Sequence, residues 1–326
     1  MSKIEWTERT WNPIVGCSKV SAGCENCYAM RMAWRLMHNP KMKDRYEGVV
    51  KKTEGGKVNW TGKINMVPDV LHLPLEVKKP TTWFVNSMSD LFHEGVPFEY
   101  IDQVFVVMQQ CPQHIFQILT KRTGRATEYF AWKRWCNGYS FKEWPLANVW
   151  MGTSIENQKA AKERMFEFIC LDAAVRFLSC EPLVGKVTLS HAWIPEDLKK
   201  ELHWVIVGGE SGPNARPMHP DWARSLRDEC NELGIPFFFK QWGEYAPHEY
   251  IDNNGDDIVH MTPTEKDVIV INRNGNNEFI AGMVNMKKVG KKKSGRMLDG
   301  REWNEMPSHS GITNKACTEL AEVNKK

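Results

Sequence analysis

Six short runs rich in β-branched and aromatic residues divide the chain between residues 82 and 240, and helical periodicity returns after almost every one. They cover residues 82–86, 114–119, 148–154, 175–179, 204–207 and 235–240, each the length of a single strand. Apolar positions at Tyr100, Ile101, Val104, Phe105 and Met108 mark a helix behind the first run. Further helices are expected over residues 126–135, where the pattern is weak, and over 157–171, 196–202 and 220–233, the last closed by Gly234. With residues 13–15 as another strand, about seven strands alternate with helices. Such alternation means βαβ units, a parallel sheet and right-handed crossovers.

Polar residues stand at the C-terminal end of nearly every run: Asn86 and Ser87, Thr120 and Lys121, Ser154 and Glu156, Cys180 and Glu181, Gly208, Gly209 and Glu210, then Lys240 and Gln241. In a barrel those ends converge on one rim, where active sites sit. An open sheet favours a single switch point and would leave several of them idle. The expected fold is therefore α/β, a partial or complete (β/α) TIM-like barrel over residues 1–245. Residues 41–80 read as a polar, turn-rich insertion with a short helix near 69–77. Residues 246–326 read as an irregular, basic extension, with a turn cluster at 252–257, a strand near 267–272 and a mobile tail after 308.

Before the first strand–helix repeat, Cys17, Cys24 and Cys27 form a C-x6-C-x2-C pattern inside a loop punctuated by Gly16 and Gly23. Three thiolates on one loop suit a soft metal or an iron–sulfur cluster. A structural zinc site is normally closed by four ligands, and no fourth cysteine or histidine lies in the loop. A [4Fe–4S] cluster on three cysteines leaves one iron open for a small ligand. On spacing alone, a cluster, a zinc site and unligated cysteines all stay open. An apolar helical face at Ala29, Met32, Ala33, Leu36 and Met37 follows, ended by Asn39-Pro40.

Composition excludes several classes. A net charge of +3 gives no global basic field, so a nucleic-acid surface must be a local patch. No apolar run approaches the roughly 18–20 residues of a membrane span, and the first residues lack a signal peptide's apolar stretch. Nine cysteines in a chain of this size point to a reducing cytoplasm, with the six outside the loop read mainly as buried thiols. Neither a P-loop nor a G-x-S-x-G elbow occurs. Residues 287–296 are strongly basic and suit phosphates, or else form a solvated loop. Trp132, Trp135, Trp144 and Trp150 near Lys133, Arg134 and Lys142 are a candidate base-stacking surface, with core packing as the alternative.

The segments Trp11-Asn12-Pro13, Gly23–Tyr28, Phe84–His93, Leu119–Arg122, Phe177–Leu183, Val207–Pro213 and Phe237–Gly243 together resemble a phage-associated three-Cys-motif family. That family is similar to a divergent branch of the radical S-adenosylmethionine enzymes, distantly to spore photoproduct lyase. The resemblance covers about residues 4–245, with a further match at 290–307. The usual superfamily spacing is C-x3-C-x2-C with an aromatic before the third cysteine, whereas here the first gap is six and Asn26 precedes Cys27.

The resemblance implies a [4Fe–4S] cluster on Cys17, Cys24 and Cys27, with Tyr28 near the open iron and S-adenosyl-L-methionine as the second cofactor. Electron transfer would split a carbon–sulfur bond and release a 5′-deoxyadenosyl radical, the cofactor carrying the chemistry and the protein the orientation. Gly208-Gly209-Glu210 looks like the element that contacts the methionine amine, although it follows about the sixth strand instead of the second. Asn86-Ser87-Met88-Ser89-Asp90 at the second strand, Asn86 and Ser87 above all, are the substitute. Ser154 and Glu156 suit a ribose, and Cys180, Glu181 and Lys240 are catalytic candidates on the rim. A structural salt bridge of Glu181 with Lys121, Arg122 or Lys240 is the plainer alternative. The expected partners are a nucleic acid or nucleotide substrate, an external electron donor and a neighbouring-gene partner protein, in the cytoplasm of the bacterial host with no membrane. The competing readings are a non-catalytic zinc- or cluster-stabilised nucleic-acid-binding module and, less favoured by the scarcity of rim histidines, a metal-dependent hydrolase.

Overall fold

The computed structural model describes residues 4–136, 144–189, 201–248, 258–261, 268–269 and 284–307. Its centre is a seven-stranded, all-parallel sheet: β1 (Arg9–Trp11), β2 (Thr82–Val85), β3 (Ile115–Thr120), β4 (Val149–Ser154), β5 (Val175–Cys180), β6 (Trp204–Gly208) and β7 (Phe237–Gln241). The strands lie side by side in chain order. No crossover reverses direction, so the sheet is singly wound and curls into a half-barrel. The long helices are α1 (Tyr28–Met37), α2 (Phe98–Gln109), α3 (Thr123–Cys136), α4 (Gln158–Ile169) and α5 (Pro220–Leu233). Asn157 caps α4 by accepting from the Ala160 amide, and α5 begins on Pro220 and ends at Gly234 with φ +68°.

Strand alternation sorts side chains into two layers. Val85, Ile118, Met151, Leu178, Val207 and Phe239 face outward and join Ile101, Val104, Met108, Met165, Phe168 and Leu226 of the helices in the main core. The other face holds a compact aromatic cluster of Phe84, Trp150, Phe177, Trp204 and Phe238, closed by Trp6 from the N-terminal segment. Gly152 is what lets this layer pack: a β-carbon there would lie 2.3 Å from the Phe177 ring. Trp150 therefore fills the concave interior while Trp132 and Trp144 pack against the outer core and Trp135 is exposed. Core packing, the alternative reading, holds for three of the four tryptophans, and the candidate stacking surface is not assembled.

One strand expectation is corrected. The first sheet strand is β1, and Ile14–Val15 pairs antiparallel with Asn65–Met66 outside the sheet. Pro13 has no amide hydrogen to continue the ladder, and the chain turns there. The insertion holds the hairpin of Val50–Lys52 with Val58–Trp60, and the helix expected near 69–77 is two 3-10 turns, Pro68–Val70 and Leu73–Glu76. In the extension, Tyr245–His248, Val284–Lys288, Ile258–Met261 and Val268–Ile269 form an antiparallel sheet, so part of it is regular. The expected helix at 196–202 falls largely, and the turn cluster at 252–257 and the tail after 308 wholly, outside the described residues. No helix among the described residues is long and apolar enough to cross a membrane.

Candidate functional site

The cysteine loop leaves β1, crosses the C-terminal rim of the half-barrel and enters α1. Ala22–Cys24 forms a 3-10 turn and Cys27 is the N-cap of α1. Cys17, Cys24 and Cys27 all line one cavity of about 230 Å³ at this rim, together with Tyr28, Asn86, Ser87, Ser154, Glu181, Gly209, Glu210 and Lys240. The strand-end residues singled out from sequence thus converge, with four exceptions, the buried Gln241 being one. Cys180 belongs to the outer core between sheet and helices, fully buried, because it lies one residue out of phase with Ser179 and Glu181. Gly208 and Glu156 stand just behind the cavity wall.

The three thiols line one pocket, with Cys24 buried and Cys17 and Cys27 partly exposed. Burial pushes the Cys17 thiol up to about 12, and Asp90 and the two other cysteines push the same way while Arg122 opposes them. Burial also raises Cys27, against the first-turn amides of Ala29 and Met30. Cys17 and Cys27 are thus favoured as neutral thiols, which a bound cation or cationic cluster would stabilise as thiolates. Among the described residues, no three His, Cys, Asp or Glu side chains converge on a single-ion site, the three cysteines included.

Around the loop, charged side chains at the strand ends pair with it and with each other. Arg122, two residues past β3, donates to Ser18 Oγ at 2.8 Å and the Ser18 carbonyl at 3.3 Å, with Nη1 3.9 Å from the Cys17 sulfur. Asp90 at 3.0 Å and Glu94 at 3.1 Å brace it from behind. His93 Nδ1 accepts from the Gly95 amide, which leaves Nε2 to donate to Ser18 Oγ at 2.9 Å. Burial and Arg122 both lower the His93 pKa, which keeps the ring neutral.

Glu156, two residues past β4, accepts from the Gly23 amide at 3.3 Å and from Arg164 at 2.9 Å, with Lys121 at 3.5 Å. Burial works to raise its pKa, but Lys121 and Arg164 win and hold it at about 2. Glu210, two residues past β6, accepts from Asn26 at 3.0 Å and, through both oxygens, from Arg216 at 2.6 and 2.9 Å. Arg216 also reaches the Ala22 carbonyl at 2.9 Å. Both carboxylates are occupied by protein donors. The double glycine has its own local reason: a β-carbon on Gly209 would lie 1.9 Å from the Trp242 carbonyl oxygen, so the β6 and β7 ends touch backbone to backbone.

What stays open toward the cavity lies elsewhere. Lys240 pairs with Glu181 at 2.6 Å, and Glu5 stands 4.0 Å away. Of the three cations considered for Glu181, Lys240 is thus the partner, while Lys121 turns to Glu156 and Arg122 to Asp90. Asn86 is buried in a left-handed conformation, φ +60°, and neither carboxamide atom has a hydrogen-bond partner. Asparagine tolerates that conformation, yet an unpaired buried amide calls for a reason. Tyr28 donates to the Ser87 carbonyl at 3.0 Å. Sequence reading missed Asn26 and Arg216 as individual contributors, and took Asp90 as a cofactor-side group where the structure has it bracing Arg122. The signal for Arg122 was a charged residue close behind a predicted strand end, whereas Arg216 is set by a turn that carries no periodicity.

No curated protein and no solved structure matches this chain. Residues 1–307, which span the half-barrel, the cysteine loop and the segment packed on β7, match one family, and the chain belongs to it: Protein of unknown function (DUF5131).

Proposed function

We propose that this protein is a radical S-adenosylmethionine enzyme acting on a nucleobase or nucleotide in DNA or RNA, with Cys17, Cys24 and Cys27 holding a [4Fe–4S] cluster. The observation that carries the reading is that three cysteines and an unpaired buried carboxamide line one cavity on the rim of a half-barrel. When bound, the cluster supplies the electron that breaks a carbon–sulfur bond of S-adenosylmethionine. The chain's own residues do the rest. Asn86 at the end of β2, with its carboxamide unpaired, is the group available to an amino acid moiety, and Ser87, whose hydroxyl donates to Asn12 Oδ1 at 3.1 Å, can add an acceptor; Glu210 is committed to Arg216 and Asn26. Ser154 can hydrogen-bond a ribose, and Glu181 with Lys240 form an ion pair on the wall facing a substrate. The nucleic-acid part rests on Lys291–Ser294, a lysine-rich turn whose Lys291 reaches Glu5 at 3.7 Å beside Lys240, at the mouth of the cavity.

Anaerobically reconstituted protein given strong reductant and S-adenosylmethionine is expected to form 5′-deoxyadenosine, and Cys27→Ala to form none. Reconstituted wild type that leaves the sulfonium intact contradicts the proposal.

A further inference from the structure

The contacts to the cysteine loop repeat one device. Arg122, Glu156 and Glu210 each lie two residues beyond the end of a strand, β3, β4 and β6 respectively. Each hydrogen-bonds a loop residue adjacent to one cysteine: Ser18 beside Cys17, Gly23 beside Cys24, Asn26 beside Cys27. We propose that these three side chains are positioning residues that set the three sulfurs before any metal group arrives, so that the loop is a preformed cradle. This rests on the reading that the cysteines hold a metal group.

Each anchor is itself fixed from behind. Asp90 holds Arg122 while accepting from Thr120 Oγ1 at 2.7 Å and from the Phe92 and Lys121 amides, both at 3.0 Å. Arg164 holds Glu156 and donates to the Ser154 carbonyl at 2.7 Å. Arg216 holds Glu210 on both oxygens. Asp90 and Arg216 stand in loops beyond strand ends and Arg164 on α4, so the anchors are braced on the body of the half-barrel, which dictates where the loop lies. Arg122 also brings a cation to the Cys17 sulfur, a donor that would offset thiolate charge.

The test deletes the loop side of two of the three anchors, leaving the Asp90–Arg122 and Arg216–Glu210 pairs intact: Ser18→Ala and Asn26→Ala, with Ser18→Thr as the conservative control; the Gly23 amide that meets Glu156 has no side chain to delete. The first readout is hydrogen exchange of the 16–27 peptide in metal-free protein. The second is the rate at which a chelator strips the metal that the wild type retains, iron or zinc. Both are expected to rise about tenfold or more in the two alanine variants at an unchanged melting temperature, and Ser18→Thr to restore the wild-type rates. Arg122→Lys, which keeps the charge but lacks the fork, is expected to behave like Ser18→Ala. Exchange and metal loss equal to wild type in both alanine variants overturns the inference. The exchange arm needs no metal, so a wild type that retains none would count against the proposed cofactor while the anchors are still judged.

Discussion

Glu156 shares one carboxylate among a backbone amide, an arginine and a lysine at 1% exposure. Replacing it by glutamine leaves Arg164, itself 5% exposed, facing no countercharge. Breaking such a buried pair costs about 3 kcal/mol, and Glu156→Gln should lower the melting temperature accordingly. The pH dependence has a definite sign. The folded pKa, about 2, lies below the ordinary 4.5, so the unfolded chain binds more protons in acid. The ionised carboxylate contributes fully above about pH 4.5, and that contribution is lost as pH falls toward 2. In an acid melting series, the wild type should therefore lose stability across that window more steeply than Glu156→Gln; parallel curves would contradict this. From sequence, Glu156 looked like a ribose ligand and Glu210 an amine ligand. The positions on the rim were legible because strand ends are legible. Their partners were not, because Arg164 and Arg216 come from elements whose facing is decided only by packing.

At the level of elements, the six central strands were readable to within two residues at their ends, since a strand buried on both faces shows a continuous apolar run. The helix behind β3 was weak in sequence because α3 is lined with aromatics on several sides, Tyr129 against Phe105 and Trp132 against Phe98 among them. The first strand was misplaced, since β1 has only three residues and its neighbour across Pro13 looked more apolar. Cys180 was the other misreading, as its side of the strand depends on a one-residue phase. The concave aromatic layer gives a sharp expectation for β4. Gly152→Ala drives a methyl into the Phe177 ring, and overpacking of that kind costs about 1–3 kcal/mol. Thermal unfolding should show the loss, and the double variant Gly152→Ala with Phe177→Leu should recover part of it; a Gly152→Ala protein as stable as wild type would mean the ring is free to move.

For the whole molecule, a half-barrel has two open edges, and the chain returns to cover one. The chain beyond β7 contributes the antiparallel sheet and then packs back on that strand, so that the Phe239 amide donates to the Trp303 carbonyl at 2.9 Å and Trp204 Nε1 to the Glu305 carbonyl at 2.8 Å. Covering an edge in this way removes unpaired backbone groups from water and from other chains. The barrel class was legible from motifs at strand ends; its incompleteness was not, because closure depends on strand tilt and not on any residue. The same architecture leaves the rim wide, with the cysteine loop lying across it, and that placement is the basis of the functional reading. Its most direct test is the metal content of anaerobically reconstituted wild type and Cys24→Ala, with the visible absorbance of each. The account predicts about four irons per wild-type chain with an iron–sulfur charge-transfer band, and loss of both in the variant. Stoichiometric zinc in a colourless protein would contradict it and leave the cysteine loop a structural feature of the rim.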